Sequence, residues 1–277
     1  LAPYWVSYVE IVKFAGGTPV VVSADIEDDF KVKSDEIRKA ITLKTKLLIF
    51  SSPCNPTGSV YTKEELSEIA DVIAENGNIL VISDEIYEYI NFTGKHASIG
   101  AFDKMRELTA TVNGFSKGFS MTGWRLGYMG GPKWLADACN KVQGQVTSGA
   151  ASFSQEAAAV ALRTEKTEAL EMRDAFLRRR DLILSGLKEI PGFKVNNPQG
   201  AFYVFPDVSY YFGTTDGHIT IQNADDFSET LLTEAHVGTV SGAAFGNDNC
   251  IRLSYAASDN DLIKAVARIK KCLERFK

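Results

Sequence analysis

Residues 46–84 read KLLIFSSPCNPTGSVYTKEELSEIADVIAENGNILVISD. Two continuous apolar runs, Leu47-Leu48-Ile49-Phe50 and Ile79-Leu80-Val81-Ile82, bracket a stretch with helical spacing. The runs are too short for buried helices, so Lys46–Ser51 and Asn78–Ser83 are expected as strands. Between them Thr62 and Glu65 match a capping box. Leu66, Ile69, Ala70, Ile73 and Ala74 then share one helical face, and Gly77 stops the helix. Strand, helix, strand with unbroken apolar strands predicts a mostly parallel sheet covered by helices. Such sheets place their chemistry beyond the carboxyl ends of the strands. The first run leads into the Pro/Gly-punctuated turn Ser51-Ser52-Pro53-Cys54-Asn55-Pro56-Thr57-Gly58, and the second ends at Asp84.

Moving outward, Leu108–Asn113 and Arg125–Gly130 can add two strands to the sheet. Upstream, Pro3 to Tyr8 reads as an aromatic loop, Pro19–Ser23 as a short strand and Asp35–Thr42 as a short helix. Downstream, helices are expected over Pro132–Val146, Ser154–Leu162 and Thr167–Glu189. Short strands follow at Phe193–Val195, Ala201–Phe205, Val237–Val240 and Ile251–Ser254, with a helix near Ala224–Glu234. A last helix repeats Leu262, Val266, Ile269, Leu273 and Phe276. The fold class predicted is α/β. A large domain with a mostly parallel sheet spans residues 1–175, and a smaller α+β domain spans 176–277.

The 277 residues carry 30 Lys+Arg against 35 Asp+Glu, a formal charge of -5. That balance has no basic footprint for nucleic acid, and no apolar run approaches the length of a membrane span. The four cysteines show no CxxC pair and the three histidines are scattered, so neither a disulfide framework nor a metal site is expected. Cysteine usage points to a reducing compartment, the cytoplasm. The chain opens without Met and reads as part of a longer protein.

The candidate chemistry clusters after the strands. Lys117 lies in the Gly- and hydroxyl-rich segment Asn113-Gly114-Phe115-Ser116-Lys117-Gly118 and onward to Arg125, where an amine could form an imine with an aldehyde cofactor or a carbonyl substrate. Asp84, at a strand end, needs a cationic or hydrogen-bonding partner, and a protonated pyridine would serve; Tyr87 can turn toward the same ligand. Asn55 offers an amide donor and Trp5 a flat face. Ser116 with Arg125 suits a phosphate, and Arg252, among Cys250, Ile251 and Leu253, suits a carboxylate.

Taken in order, the turn at 51–58, Ser83-Asp84-Glu85-Ile86-Tyr87, and Phe115-Ser116-Lys117 through Met121-Thr122-Gly123-Trp124-Arg125-Leu126-Gly127-Tyr128 resemble the fold-type I, pyridoxal-phosphate-dependent class I/II aminotransferases. The bacterial aspartate aminotransferase subgroup is the most similar, helped by Pro3-Tyr4-Trp5-Val6-Ser7-Tyr8. The resemblance implies pyridoxal 5'-phosphate carried on Lys117, with Asp84 on the ring nitrogen and Asn55 and Tyr87 on the phenolic oxygen. It also implies Trp5 stacked on the ring, Ser116 and Arg125 on the phosphate, and Arg252 on the substrate α-carboxylate. Gly114 departs from relatives that carry a second phosphate-binding serine there. The implied reaction is transamination between an L-amino acid and a 2-oxo acid, aspartate with 2-oxoglutarate first, with prephenate, aromatic amino acids or alanine as alternatives. The implied assembly is a homodimer with active sites at the subunit boundary. Family members are longer, and their N-terminal part is expected to be absent here. A non-catalytic relative of the same fold is the reading from a different class.

Overall fold

The two apolar runs become neighbouring parallel strands. In the computed structural model, which describes residues 1–276, β1 (Leu47–Ser51) pairs with β2 (Leu80–Asp84) in a register from Leu47↔Leu80 to Ser51↔Asp84. Parallel strands need a crossover, and it is supplied by α3 (Lys63–Asn76). The capping box forms as the sequence requires: the Glu65 N–H donates to the Thr62 hydroxyl at 3.2 Å, and the Thr62 N–H donates to the Glu65 carboxylate at 2.7 Å. Leu66, Ile69, Ala70, Val72 and Ile73 are buried, each larger side chain contributing about 1.5–3 kcal/mol. Val72 takes the packed position expected for Ala74, which is half-buried. Gly77 ends the helix.

β3 (Thr109–Gly114) joins β2 in parallel, and β4 (Gly127–Gly130) joins β3 antiparallel, giving the order β1-β2-β3-β4. The β3–β4 link is residues 115–126, which hold Lys117. α2 (Ser34–Ala40) precedes this sheet, and α4 (Lys133–Val146), α5 (Ser152–Arg163) and α6 (Thr167–Leu187) follow it. No residue of α4 is buried, and Trp134, Val142 and Val146 face solvent.

The second sheet is antiparallel, in the order β5 (Tyr203–Val204), β7 (Ile251–Ser254), β6 (Val240–Ser241). Side-chain caps start its helices: Asn223 accepts from the Asp226 N–H before α7 (Ala224–Ala235), and Ser258 accepts from the Asp261 N–H before α8 (Asp259–Leu273). Phe30, Phe205, Phe245 and Cys250 form a buried cluster with Ile26 against it. By their contacts, residues 1–32 and 54–59 group with the chain from Asp174 as one compact unit, and 33–53 with 60–173 as the other. Among the described residues no helix is long and apolar enough to cross a membrane.

Several elements differ from expectation. The aromatic opening leads into α1 (Ser7–Phe14), which has no side-chain cap and no buried residue, so neither usual helix signal marked it. Pro19–Ser23 is not a strand: Ser23 makes one bridge to Ala2, and the Tyr4 N–H that would make the next rung donates to the Phe245 carbonyl instead. Phe193–Val195 likewise reduces to one bridge, Lys194 to Asp207. The strand expected at Val237–Val240 forms at Val240–Ser241. The last helix stops at Leu273, although Phe276 beyond it is still buried.

Candidate active site

Asp84 is the last residue of β2, paired across to Val112 of β3, so the chain after each strand leaves the sheet at the same end. The Asp84 carboxylate accepts from the Ile86 N–H at 3.2 Å, and its carbonyl accepts from the Ser52 N–H at 3.1 Å. Tyr87, three residues on, is buried. From β3 the chain enters the 115–126 segment. Its ends are tied by the Phe115 N–H donating to the Leu126 carbonyl at 3.3 Å and by the Met121 N–H donating to the Phe115 carbonyl at 3.1 Å. Within it the Ser120 N–H donates to the Lys117 carbonyl (3.2 Å), the Thr122 hydroxyl to the Ser116 carbonyl (2.8 Å), and Arg125 Nη1 to the Thr122 carbonyl (3.0 Å). The half-buried Ser116 and Lys117 are therefore held by backbone bonds, while Arg125 is exposed.

Ser120 and Arg125 both adopt positive φ, 53° and 52°. Non-glycine residues in that region cost on the order of 1 kcal/mol or more, and such strain gathers where function over-determines the backbone. An aromatic group supports the segment: Phe119 contacts Tyr89 and Phe115, with centroids 5.0 and 5.4 Å away, and Phe115 contacts Tyr128 at 5.6 Å. Burial and the Glu88 charge push both the Tyr89 and Tyr128 phenols above the usual range. The departure at Gly114 has a steric cause. A Cβ there would lie 3.1 Å from both Gly127 Cα and the Leu126 carbonyl and 3.2 Å from Ile86 Cδ1, so a serine would have to push β4 away.

The other unit holds a second constellation. Arg252 on β7 donates from Nη1 to Asn55 Oδ1 at 2.9 Å, and its guanidinium lies 4.5 Å from the Tyr203 ring centroid and 4.7 Å from that of Phe245. Because arginine only donates, Asn55 must turn its carbonyl to Arg252, which leaves its amide nitrogen as the donor. The Asn55 turn is braced from below. Asn196 Nδ2 donates to the Thr57 carbonyl at 3.2 Å and to Asp29 Oδ1 at 3.0 Å, and the Ser59 hydroxyl donates to the Asp29 carbonyl at 2.6 Å. The Gly58 carbonyl accepts from the Gln199 and Gly200 N–H groups at 2.7 and 2.9 Å. Gly58 itself has φ 69°, and a Cβ would stand 2.5 Å from Pro198 Cβ and 2.8 Å from the Gly200 carbonyl. Gly58→Ala is expected to lower unfolding free energy by at least about 2 kcal/mol, read from the denaturant midpoint; an unchanged midpoint would refute this account of the turn.

Trp5 stands just before α1, partly exposed, with its ring edge-on to Tyr8 at 5.6 Å. Four supporting side chains are not singled out by the sequence. Glu85, His96 and Ser98 form one hydrogen-bonded group, yet 11 and 13 positions separate the two bonded pairs, so no local motif joins them. Thr122 passed as one more hydroxyl in a hydroxyl-rich loop.

The profile for aminotransferase class I and II matches residues 1–269. The bifunctional aspartate aminotransferase and glutamate/aspartate-prephenate aminotransferase of Petunia hybrida is 47% identical over 281 aligned positions, covering all of this chain and 59% of the relative. An aspartate aminotransferase of Bacillus sp. (strain YM-2) is 45% identical, over 97% of this chain and 68% of the relative. The crystal structure of an aspartate aminotransferase from Rhizobium meliloti superposes with a TM-score of 0.96 at 36% identity, over 99% of this chain and 70% of that one. This chain belongs to the class I and II aminotransferase family.

The chain spans less than two thirds of the length of the Petunia relative. The aminotransferase family of fold type I works with pyridoxal 5'-phosphate, and the donor set meets that group's needs. An aldehyde needs an amine, a pyridinium nitrogen a carboxylate, a phenolic oxygen donors, and a phosphate dianion a guanidinium and hydroxyl groups. In this member of the family the unit of residues 33–53 and 60–173 carries those side-chain types at Lys117, Asp84, Tyr87, Arg125 and Ser116.

Proposed function

We propose that the full-length protein transfers an amino group between an L-amino acid and a 2-oxo acid on pyridoxal 5'-phosphate, with aspartate and 2-oxoglutarate as the leading pair. The reading is carried by one observation: Asp84 ends β2 and Lys117 follows β3, its parallel neighbour, so a carboxylate and an amine leave the same end of the sheet. When bound, the cofactor supplies an electron sink for the pair left at the substrate's Cα. Lys117 would carry it covalently between turnovers and, as a free amine, move the Cα proton. Asp84 would pair with the ring nitrogen and favour its protonated form through opposite charge. Tyr87 and the Asn55 amide would donate to the phenolic oxygen, Trp5 would cover one ring face, and Ser116 and Arg125 would hold the phosphate.

Arg252 would bind the α-carboxylate in a two-bond fork, its plane held by Tyr203 and Phe245 and its Nη1 by Asn55. Arg252→Lys keeps the charge but loses the fork and the ring stacking. It is expected to raise KM for amino donor and 2-oxo acid alike by about ten- to a hundredfold, the size of a charge-assisted hydrogen bond. A KM within twofold of wild type would remove Arg252 from substrate binding.

The Petunia relative's name adds a second reading, in which prephenate is the 2-oxo acid and glutamate or aspartate the donor. The proposal includes a large cofactor domain over residues 1–175 and a small domain over 176–277. It also includes a homodimer, supported by the uncovered apolar face of α4 and α5 at Trp134, Val142, Val146, Phe153 and Val160. Free Cys54, Cys139, Cys250 and Cys272 support a cytoplasmic home. The deciding experiment offers the full-length protein a panel of amino donors with 2-oxoglutarate, and aspartate and glutamate with prephenate. Turnover fastest with aspartate and 2-oxoglutarate supports the leading pair, and a prephenate preference supports the second reading. Cofactor uptake without turnover on any pair would establish the non-catalytic alternative.

A further inference from the structure

Glu85 sits between two of the proposed ring-binding residues, and we infer that its carboxylate is a clasp that positions Asp84 on one side and Tyr87 on the other. The inference rests on the pyridoxal-phosphate reading above. Glu85 is only 3% exposed, a place where an uncompensated carboxylate would be costly. It is compensated fully: Oε1 accepts from the Ser83 hydroxyl at 2.8 Å and the Ser98 hydroxyl at 2.7 Å, and Oε2 accepts from His96 Nε2 at 2.6 Å. When ionised the carboxylate only accepts, and the His96 proton then sits on Nε2. The Glu85 N–H donates to the Val112 carbonyl of β3 at 2.8 Å, so the same residue is tied by its backbone to the neighbouring strand.

The partners are what make this a clasp. Ser83 is in β2, while His96 and Ser98 lie on the returning end of the loop that Glu85 opens. One side chain therefore closes residues 85–98 at their base. Inside that loop the Glu88 N–H donates to the Glu85 carbonyl and the Ile90 N–H to the Tyr87 carbonyl, both at 2.8 Å. Asn91 Oδ1 accepts from the Thr93 N–H at 2.9 Å. Glu88 reaches out of it to accept from Asn113 Nδ2 at 2.7 Å, next to Gly114. Successive residues at a strand end point to opposite faces, so anchoring Glu85 on its face sets the direction of Asp84 on the other. The Glu85 carboxylate bonds to protein side chains at Ser83, Ser98 and His96. Its role is positioning, and the benefit is a carboxylate at residue 84 already held where charge must be met.

The test uses the full-length protein without cofactor and then with pyridoxal 5'-phosphate. Glu85→Ala is expected to speed amide hydrogen exchange at residues 86–89 of the cofactor-free protein by about tenfold. It should raise the pyridoxal phosphate dissociation constant by about tenfold and move the pH midpoint of the bound cofactor's visible spectrum by about half a unit or more. Glu85→Gln keeps an acceptor for the two serines and should stay within about threefold of wild type in exchange and affinity. Should Glu85→Ala not fold, Ser98→Ala and His96→Gln each remove or alter a single tie and are read in the same way. Faster exchange with wild-type affinity and spectrum would make the cluster merely structural and overturn the positioning role, as would unchanged exchange. A wild-type protein that takes up no pyridoxal phosphate overturns the reading beneath it. A wild type that binds, beside variants that match it, overturns the clasp alone.

Discussion

Lys117→Ala in the full-length protein is expected to lower transamination turnover by about a thousandfold or more, the upper range for losing a positioned general base. The same change should abolish covalent retention of the cofactor. Borohydride reduction followed by peptide mass analysis should find the cofactor's added mass on the Lys117 peptide of the wild type and nowhere in the variant. Lys117→Arg is the control: it preserves the positive charge, but a guanidinium is never deprotonated near neutral pH and cannot serve as the base. It should be as inactive as the alanine variant. The loop around the half-buried Lys117 is held by bonds to the backbone of Phe115, Ser116 and Lys117, so it should survive either change. Either variant turning over at a tenth of the wild-type rate would take the proton transfer away from this residue.

The second large effect is expected from Asp84→Ala. The variant should still take up cofactor, because Lys117 and the Ser116–Arg125 pair are untouched. Its single-turnover rate of Cα proton removal should fall by about a hundred- to a thousandfold, the range for losing one preorganised charge opposite a developing one. Asp84→Asn separates charge from shape, since the amide oxygen can still accept from the Ile86 N–H at the place where the carboxylate does. An asparagine variant as slow as the alanine variant would assign the effect to charge. One near wild type would show that Asp84 serves the loop rather than the ring.

The fold of the sheet unit was legible because its signals are local. The apolar runs at 47–50 and 79–82, the Thr62–Glu65 box and Gly77 each act within a few residues, and all four behave as their spacing demands. Elements without a local signal were missed or misplaced. α1 has no cap and buries nothing, and the segments at Pro19 and Phe193 carry strand-forming residues but lack a partner that can continue the ladder beyond one bridge. A strand is a property of two segments, and one segment's composition cannot state whether the second will donate.

The same division runs through the candidate site. Residue types and their order were enough to nominate Lys117, Asp84, Tyr87, Ser116, Arg125, Asn55, Arg252 and Trp5, because chemistry chooses side-chain types and those are written in the chain. Which side chains hold the nominees in place depended on the tertiary structure. Asn55 meets Arg252 across 197 positions, and Asn196 meets Thr57 across 139. The Glu85 clasp joins a strand end to a returning loop, and Gly114 is crowded by Gly127, the Leu126 carbonyl and the Ile86 side chain. Hydrogen bonds and steric contacts fall off within a few ångströms, so they obey distance in space. Distance along the chain carries almost no information about them until the backbone has been folded.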